Sequence, residues 1–301
     1  IERQHRQRYR EGRPLALGAL ECDRPAVQLD RLAHDRQPQA RAWNLADVLG
    51  AVEHDVQIGL VRLRDANPGV SDAKDGLLPV EDLGIPTVWI DHDAYKKPAH
   101  KQCAFNLYAA AMFRHALAPL AKAFGDNEQH KAFQDAGDAL LAAVQTRYWD
   151  EARGMFVANL PWAEEEKEIR LCDRSLATSI LFDHCPDGKT GAALNALATC
   201  PPEMGLSYPA NAYWRYWALS KLSRTDVVLK DFRERWATMD SVLLNNTLQE
   251  NWTARPDSTA EWSHCPVCPL YILYMDILGI RPTAPGFTAC DVRPQLGDIG
   301  D

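Results

Sequence analysis

Asn211-Ala212-Tyr213-Trp214-Arg215-Tyr216-Trp217-Ala218-Leu219 is apolar over much of its surface when wound as a helix. Asp226-Val227-Val228-Leu229-Lys230-Asp231-Phe232-Arg233-Glu234-Arg235-Trp236, a few residues on, is amphipathic. A helix that is apolar on most sides belongs in the middle of an assembly, and an amphipathic one at its edge. The link between them is short, so the two lie antiparallel. The pair reads as a helical hairpin with one inner and one outer helix.

Working outward, the same alternation recurs. Residues 99–124 read as a long helix with Phe105, Tyr108, Ala109, Met112, Phe113 and Leu117 at helical spacing, and Gly125-Asp126 punctuates it. A second helix follows over 128–148, then a turn at 150–154 and a short extended run, Met155-Phe156-Val157. Further helices are expected over 176–182, 189–197, 210–222, 226–239 and 269–278, the last closed by Gly279. About seven helices make roughly three and a half hairpins, which predicts a mainly α fold, a partial α/α toroid over residues 86–287. Cys290-Asp291-Val292-Arg293-Pro294 alternates like a strand, so residues 288–301 read as the start of a C-terminal β-domain.

The first 85 residues differ. They hold only two aromatic residues, Tyr9 and Trp43, and are heavy in Arg, Asp, Gln and His. Three readings fit this segment: a polar helical region, a disordered arm, or translation of a shifted reading frame. Ile1 in place of an initiator Met and the β-like ending lead us to expect a fragment or a processed product.

With 301 residues, 46% of them hydrophobic, and nine Trp, the chain can fill a large core. Its formal net charge of −8 argues against nucleic acid as a partner and suits a neutral or anionic small ligand better. No stretch approaches the roughly 18 apolar residues of a membrane span, and the N-terminus lacks a secretory apolar region. A cytoplasmic and a periplasmic location both stay open, as does the oligomeric state. The eight cysteines are scattered and mostly in apolar contexts, which reads as reduced, buried thiols. Cys265-Pro266-Val267-Cys268 has no second ligand pair, so no metal is expected there, and no cofactor motif occurs elsewhere.

Chemistry concentrates between Ser241 and Phe287. Thr247-Leu248-Gln249-Glu250-Asn251-Trp252 and Glu261-Trp262-Ser263-His264 bring together acid, indole and amide side chains, the set a sugar-binding cleft requires. Glu250 reads either as a general base or as a solvated loop residue, and Glu261 either as a ligand-facing carboxylate or as a rim residue. Three further segments precede helices of the inner type. Trp89-Ile90-Asp91-His92 reads as a turn or a sugar-binding loop. Asp173 and Arg174 follow Cys172, where Asp173 either caps its helix or bonds substrate. Tyr208 and Asn211 open the third helix. Segments that start successive inner helices reach one end of a toroid, and that shared position is the argument for a site.

These residues carry a family resemblance. Thr247-Leu248-x-Glu250-x-Trp252, then Trp262-Ser263-His264, then Gly279-Ile280-Arg281-Pro282-x-x-Pro285-Gly286-Phe287 with Arg293-Pro294 beyond, resembles the end of the catalytic domain in bacterial α-L-rhamnosidases of glycoside hydrolase family seventy-eight. The resemblance extends back to about Pro86. It implies an (α/α)6 six-hairpin barrel followed by a β-sandwich domain, and inverting hydrolysis of terminal α-L-rhamnosyl residues, with a rhamnoside or related glycoside as the partner. Glu250 matches the position of the general base, and Trp252, Trp262 and His264 would line the sugar pocket. The family's acid-bearing motif has no convincing counterpart here, and Asp91 is the nearest candidate acid. The expectation is therefore an incomplete catalytic domain; the alternative is a noncatalytic helical toroid that binds carbohydrate or protein.

Overall fold

Inner and outer helices alternate along the chain as the hydrophobic pattern requires. The computed structural model describes residues 76–78, 80, 98–158, 168–255, 258–261 and 266–297, all within the unit Leu63–Asp301. Trp89, Asp91, His92, Trp262 and His264 lie outside the described residues, as does most of the amino-terminal segment 1–85.

Helix α1 (Gln102–Met112) passes through a wide turn at Phe113–Leu117 into α2 (Ala118–Ala123). Pro119 explains the turn: its ring would strike the carbonyl four residues back, and i→i+5 bonding before it relieves that contact. Asp126 then caps α3 (Asn127–Tyr148), accepting the Gln129 N–H at 2.9 Å. Helix α3 lies on α1 and α2. The approach is close at Gly137, where a Cβ would stand 2.5 Å from Arg114 Cγ and 3.2 Å from the Ala110 carbonyl.

Strands β1 (Trp149–Asp150) and β2 (Met155–Phe156) form a small antiparallel hairpin. Strand β3 (Leu171–Cys172) leads into α4 (Asp173–Leu181), which packs on α1 and is buried at every position. The chain returns through α5 (Gly191–Thr199) to β4 (Met204–Gly205), a 3-10 turn at Pro209–Asn211, and α6 (Tyr213–Lys221). Strands β3 and β4 pair in parallel, Leu171 with Met204 and Cys172 with Gly205, so α4 and α6 start side by side at the same end. Helix α7 (Thr225–Asp231) runs back on the outside of α6. After the short α8 (Asp240–Asn245), a loop leads to α9 (Cys268–Ile272), which packs on α6.

Inner helices α1, α4, α6 and α9 thus touch in succession, with α3, α5 and α7 outside them. The described residues are mainly α and form a partial α/α toroid, as the alternation predicts. The unit also reaches back to Gly76: Leu77 is buried in the core, and Asn106 of α1 clasps Leu78, its Oδ1 accepting the Leu78 N–H and its Nδ2 donating to the Leu78 carbonyl. At the other end, β5 (Ile280–Pro282) and β6 (Cys290–Val292) form an antiparallel hairpin.

Several details differ from the sequence expectation. The outer helix expected over 226–239 ends in a wide turn at Phe232–Trp236, and a further short helix, α8, follows where no helix was expected. In the inner helix α6, Tyr216 is buried and Tyr213, Trp214 and Trp217 are half-covered by neighbouring aromatic rings. An exposed apolar stripe lies on α9 and its continuation, at Val267, Leu270, Tyr271, Tyr274 and Leu278.

Candidate functional site

The start of α4 is fastened to the segment that leads into α6. Asp173, 2% exposed, accepts the Ser207 N–H on Oδ2 and the Ser207 hydroxyl on Oδ1, both at 2.8 Å. Of the two readings of Asp173, neither describes this bond: the carboxylate cross-links two helix starts. Beside it, Arg174 lays its guanidinium 3.9 Å from the ring centre of Trp214 and 5.1 Å from that of Tyr108. Tyr208 and Asn211 are half-buried in the turn that follows Ser207, with the Asn211 N–H bonded to the Tyr208 carbonyl.

The loop carrying Glu250 reaches the same place. Trp252 donates its indole N–H to the Ser207 carbonyl at 2.9 Å. Two side chains of the α7 arm hold that indole: Arg235 sits 3.5 Å from the ring centre, and Trp236 meets it edge-on at 5.3 Å. Trp236 is itself anchored, donating to Tyr216, whose hydroxyl joins Arg215 on the carboxylate of Asp231. One face of Trp252 is therefore already occupied by a cation, and its indole first of all fastens the loop.

Gln249 plugs that loop from within. It is 2% exposed; its Oε1 accepts the Ser241 N–H, and its Nε2 donates to the carbonyls of Asn251 and Trp252. Two further bonds close the loop on itself, Thr247 Oγ1 to the Glu261 carbonyl and the Glu250 N–H to the Ala260 carbonyl. Glu261 is buried at 2% exposure, so the rim reading of that residue does not hold. Glu250 follows Gln249 at a bend in the loop. It is half-buried, and its carboxylate takes no hydrogen bond or ion pair from the described residues.

Asp173, Arg174, Tyr208, Asn211, Glu250, Trp252 and Glu261 are thus gathered at the end of the toroid where α4 and α6 begin. Sequence reasoning missed Ser207, Gln249 and Arg235, which hold the arrangement together. Arg235 sits one residue before Trp236 on an amphipathic helix, which was its only signal. Ser207 bonds a carboxylate 34 residues away and Gln249 bonds the backbone of its own loop, and neither contact leaves a periodicity.

The same helical arrangement occurs in a rhamnosidase of glycoside hydrolase family seventy-eight from Bacillus sp. GL1, with a TM-score of 0.52 and 22% identity over 65% of this chain and 21% of that one. It also occurs in a rhamnosidase from Klebsiella oxytoca, solved with rhamnose bound, with a TM-score of 0.50 and 17% identity over 66% of this chain and 38% of that one. The helical fold is shared with rhamnosidases. The chain spans about a fifth of the first of these proteins and under two fifths of the second. No family model matches the sequence, and no curated protein matches it either. Of the gathered residues, Asp173 and Arg174 open α4, Tyr208 and Asn211 lie in the turn before α6, and Glu250, Trp252 and Glu261 come from the loop between α8 and α9.

Proposed function

We propose that the chain is part of the catalytic region of a glycoside hydrolase of the α-L-rhamnosidase kind, with residues 86–287 as its helical body, and that Glu250 is the general base of an inverting reaction. The Glu250 carboxylate takes a proton from a water as the water oxygen bonds to the anomeric carbon. The bond from that carbon to the leaving oxygen breaks on the opposite face, and an acid, for which Asp91 is the candidate, protonates the leaving oxygen. Such a pair stands roughly 6.5 to 9.5 Å apart, leaving room for the water.

One observation carries this reading. Gln249, Thr247 and Trp252 are all tied into the fold, while the carboxylate of Glu250 between them is left without a partner among the described residues. A carboxylate kept free on a fixed loop is what a base needs in order to meet a water at about 2.6 to 3.2 Å. Tyr208, Asn211 and Arg174, at the starts of α4 and α6, carry donors and aromatic surface of the kind a sugar ligand takes.

Hydrolysis of an aryl α-L-rhamnoside tests the role. Glu250→Gln should lower turnover by about a hundredfold or more, the loss of a general base, with an unchanged circular dichroism spectrum. Equal rates for the two proteins would remove Glu250 from the mechanism. Binding of L-rhamnose without turnover by either protein would favour the noncatalytic carbohydrate-binding toroid.

A further inference from the structure

The bend that carries Glu250 is pinned through its backbone by the side chains around it. Gln249 donates from Nε2 to the carbonyl of Asn251 at 2.8 Å and to that of Trp252 at 2.9 Å, so a single amide bridges the bend. Its Oε1 accepts the Ser241 N–H at 3.3 Å. Ser241 lies in the first turn of α8, where a helix leaves its N–H groups without carbonyl partners of its own. Thr247 Oγ1 donates to the Glu261 carbonyl at 3.0 Å, and the Glu250 N–H donates to the adjacent Ala260 carbonyl at 2.8 Å. The segment is therefore fixed before, at and after Glu250.

These bonds do more than satisfy open backbone groups. Gln249 is 2% exposed, and a buried amide is tolerated only when its polar atoms are bonded. Three bonds in set directions leave the surrounding backbone one arrangement, and a fully satisfied buried group of this kind makes its neighbourhood rigid. None of the three engages the carboxylate of Glu250. A general base must meet its water at about 2.6 to 3.2 Å, and a displacement of about 1 Å can cost on the order of a hundredfold in rate. A base on a loop meets that tolerance when the backbone beneath it is held.

We propose that Gln249, assisted by Thr247, is the positioning residue of the Glu250 base. Its side chain is committed to backbone groups, and it acts on the reaction by setting where the carboxylate stands. The inference rests on the reading of Glu250 as the base.

Steady-state hydrolysis of an aryl α-L-rhamnoside by the wild type, Glu250→Gln, Gln249→Met, Thr247→Val and the double variants with Glu250→Gln tests it, with circular dichroism as the check of folding. Met fills the space of Gln without bonding. Gln249→Met should lower kcat about tenfold or more and leave KM within about twofold, a loss felt in the transition state rather than in sugar binding. Thr247→Val, which removes one bond, should lower kcat about threefold. In the Glu250→Gln background neither change should cost anything further, because the base they position is gone. A residue that only stabilises the fold would cost the same factor in both backgrounds. Thr247→Val carries the test if Gln249→Met does not fold. Wild-type kcat in the folded variant, a loss confined to KM, or the same loss repeated in the Glu250→Gln background would overturn this inference and leave Glu250 standing as the base. Equal turnover by the wild type and Glu250→Gln, or no turnover by the wild type, would overturn the base and this inference with it.

Discussion

His184 is fully buried, and neither ring nitrogen has a hydrogen-bond partner. Burial, with Arg114 and His115 nearby and Asp183 opposing them, pushes its imidazole down to about 3. An unfolded histidine titrates near 6.5. Between those values the unfolded chain binds a proton at this residue that the folded chain refuses, so the contribution of His184 to stability is full above about 6.5 and is lost as the pH falls towards 3. The slope is about 1.4 kcal/mol per pH unit. His184→Leu removes the titration without removing a hydrogen bond. Urea unfolding at a series of pH values should therefore show the wild type losing stability relative to the variant below pH 6.5; parallel profiles would contradict this account. Asp276 acts with the opposite sign. Its carboxyl is raised above the usual carboxylate range, so it disfavours the folded state as the pH rises from about 4 to 6.

At the scale of elements, the bond between the starts of α4 and α6 organises the proposed site. Ser207→Ala removes the hydroxyl donor from a buried carboxylate while keeping the backbone one, and should cost about 1 to 3 kcal/mol. The melting temperature should fall by several degrees for a unit of this size, and an unchanged midpoint would show that the clip contributes nothing. The hairpin after α9 depends on a different device. Gly279 adopts φ +66°, and a Cβ there would lie 1.9 Å from the Arg293 carbonyl oxygen. Much of this element structure was legible in the sequence, because aromatic and aliphatic spacing marks α1, α3 and α6 and Gly279 marks a helix end. The burial of α4 was not. Its positions are filled by Asp, Arg, Ser and Thr as well as Leu and Ile, and Ser179 satisfies its own hydroxyl on the Leu176 carbonyl. A small side chain that bonds back to its helix can be buried without any apolar signal. The wide turns were equally hidden, since a shift from i→i+4 to i→i+5 bonding scarcely changes hydrophobic spacing. Within the proposed site, Glu250 and Trp252 were singled out by their motif, whereas Ser207 acts by a bond to Asp173, 34 residues away, that forms only in the folded chain.

At the scale of the whole helical unit, the inner helices present two different ends. One gathers Asp173, Arg174, Tyr208 and Asn211 with the loop of Glu250, and the other closes over Asp276 against the β5–β6 hairpin. The toroid explains this division, because parallel inner helices bring all their starting segments to one end and all their last turns to the other. The central claim is that the first end holds a sugar against Glu250. A crystal structure of Glu250→Gln soaked with an aryl α-L-rhamnoside tests it most directly, since the substitution keeps the shape of the side chain while slowing its proposed chemistry. The account predicts the sugar beside residue 250, between the starts of α4 and α6. A saturated crystal with no sugar at that position would contradict it.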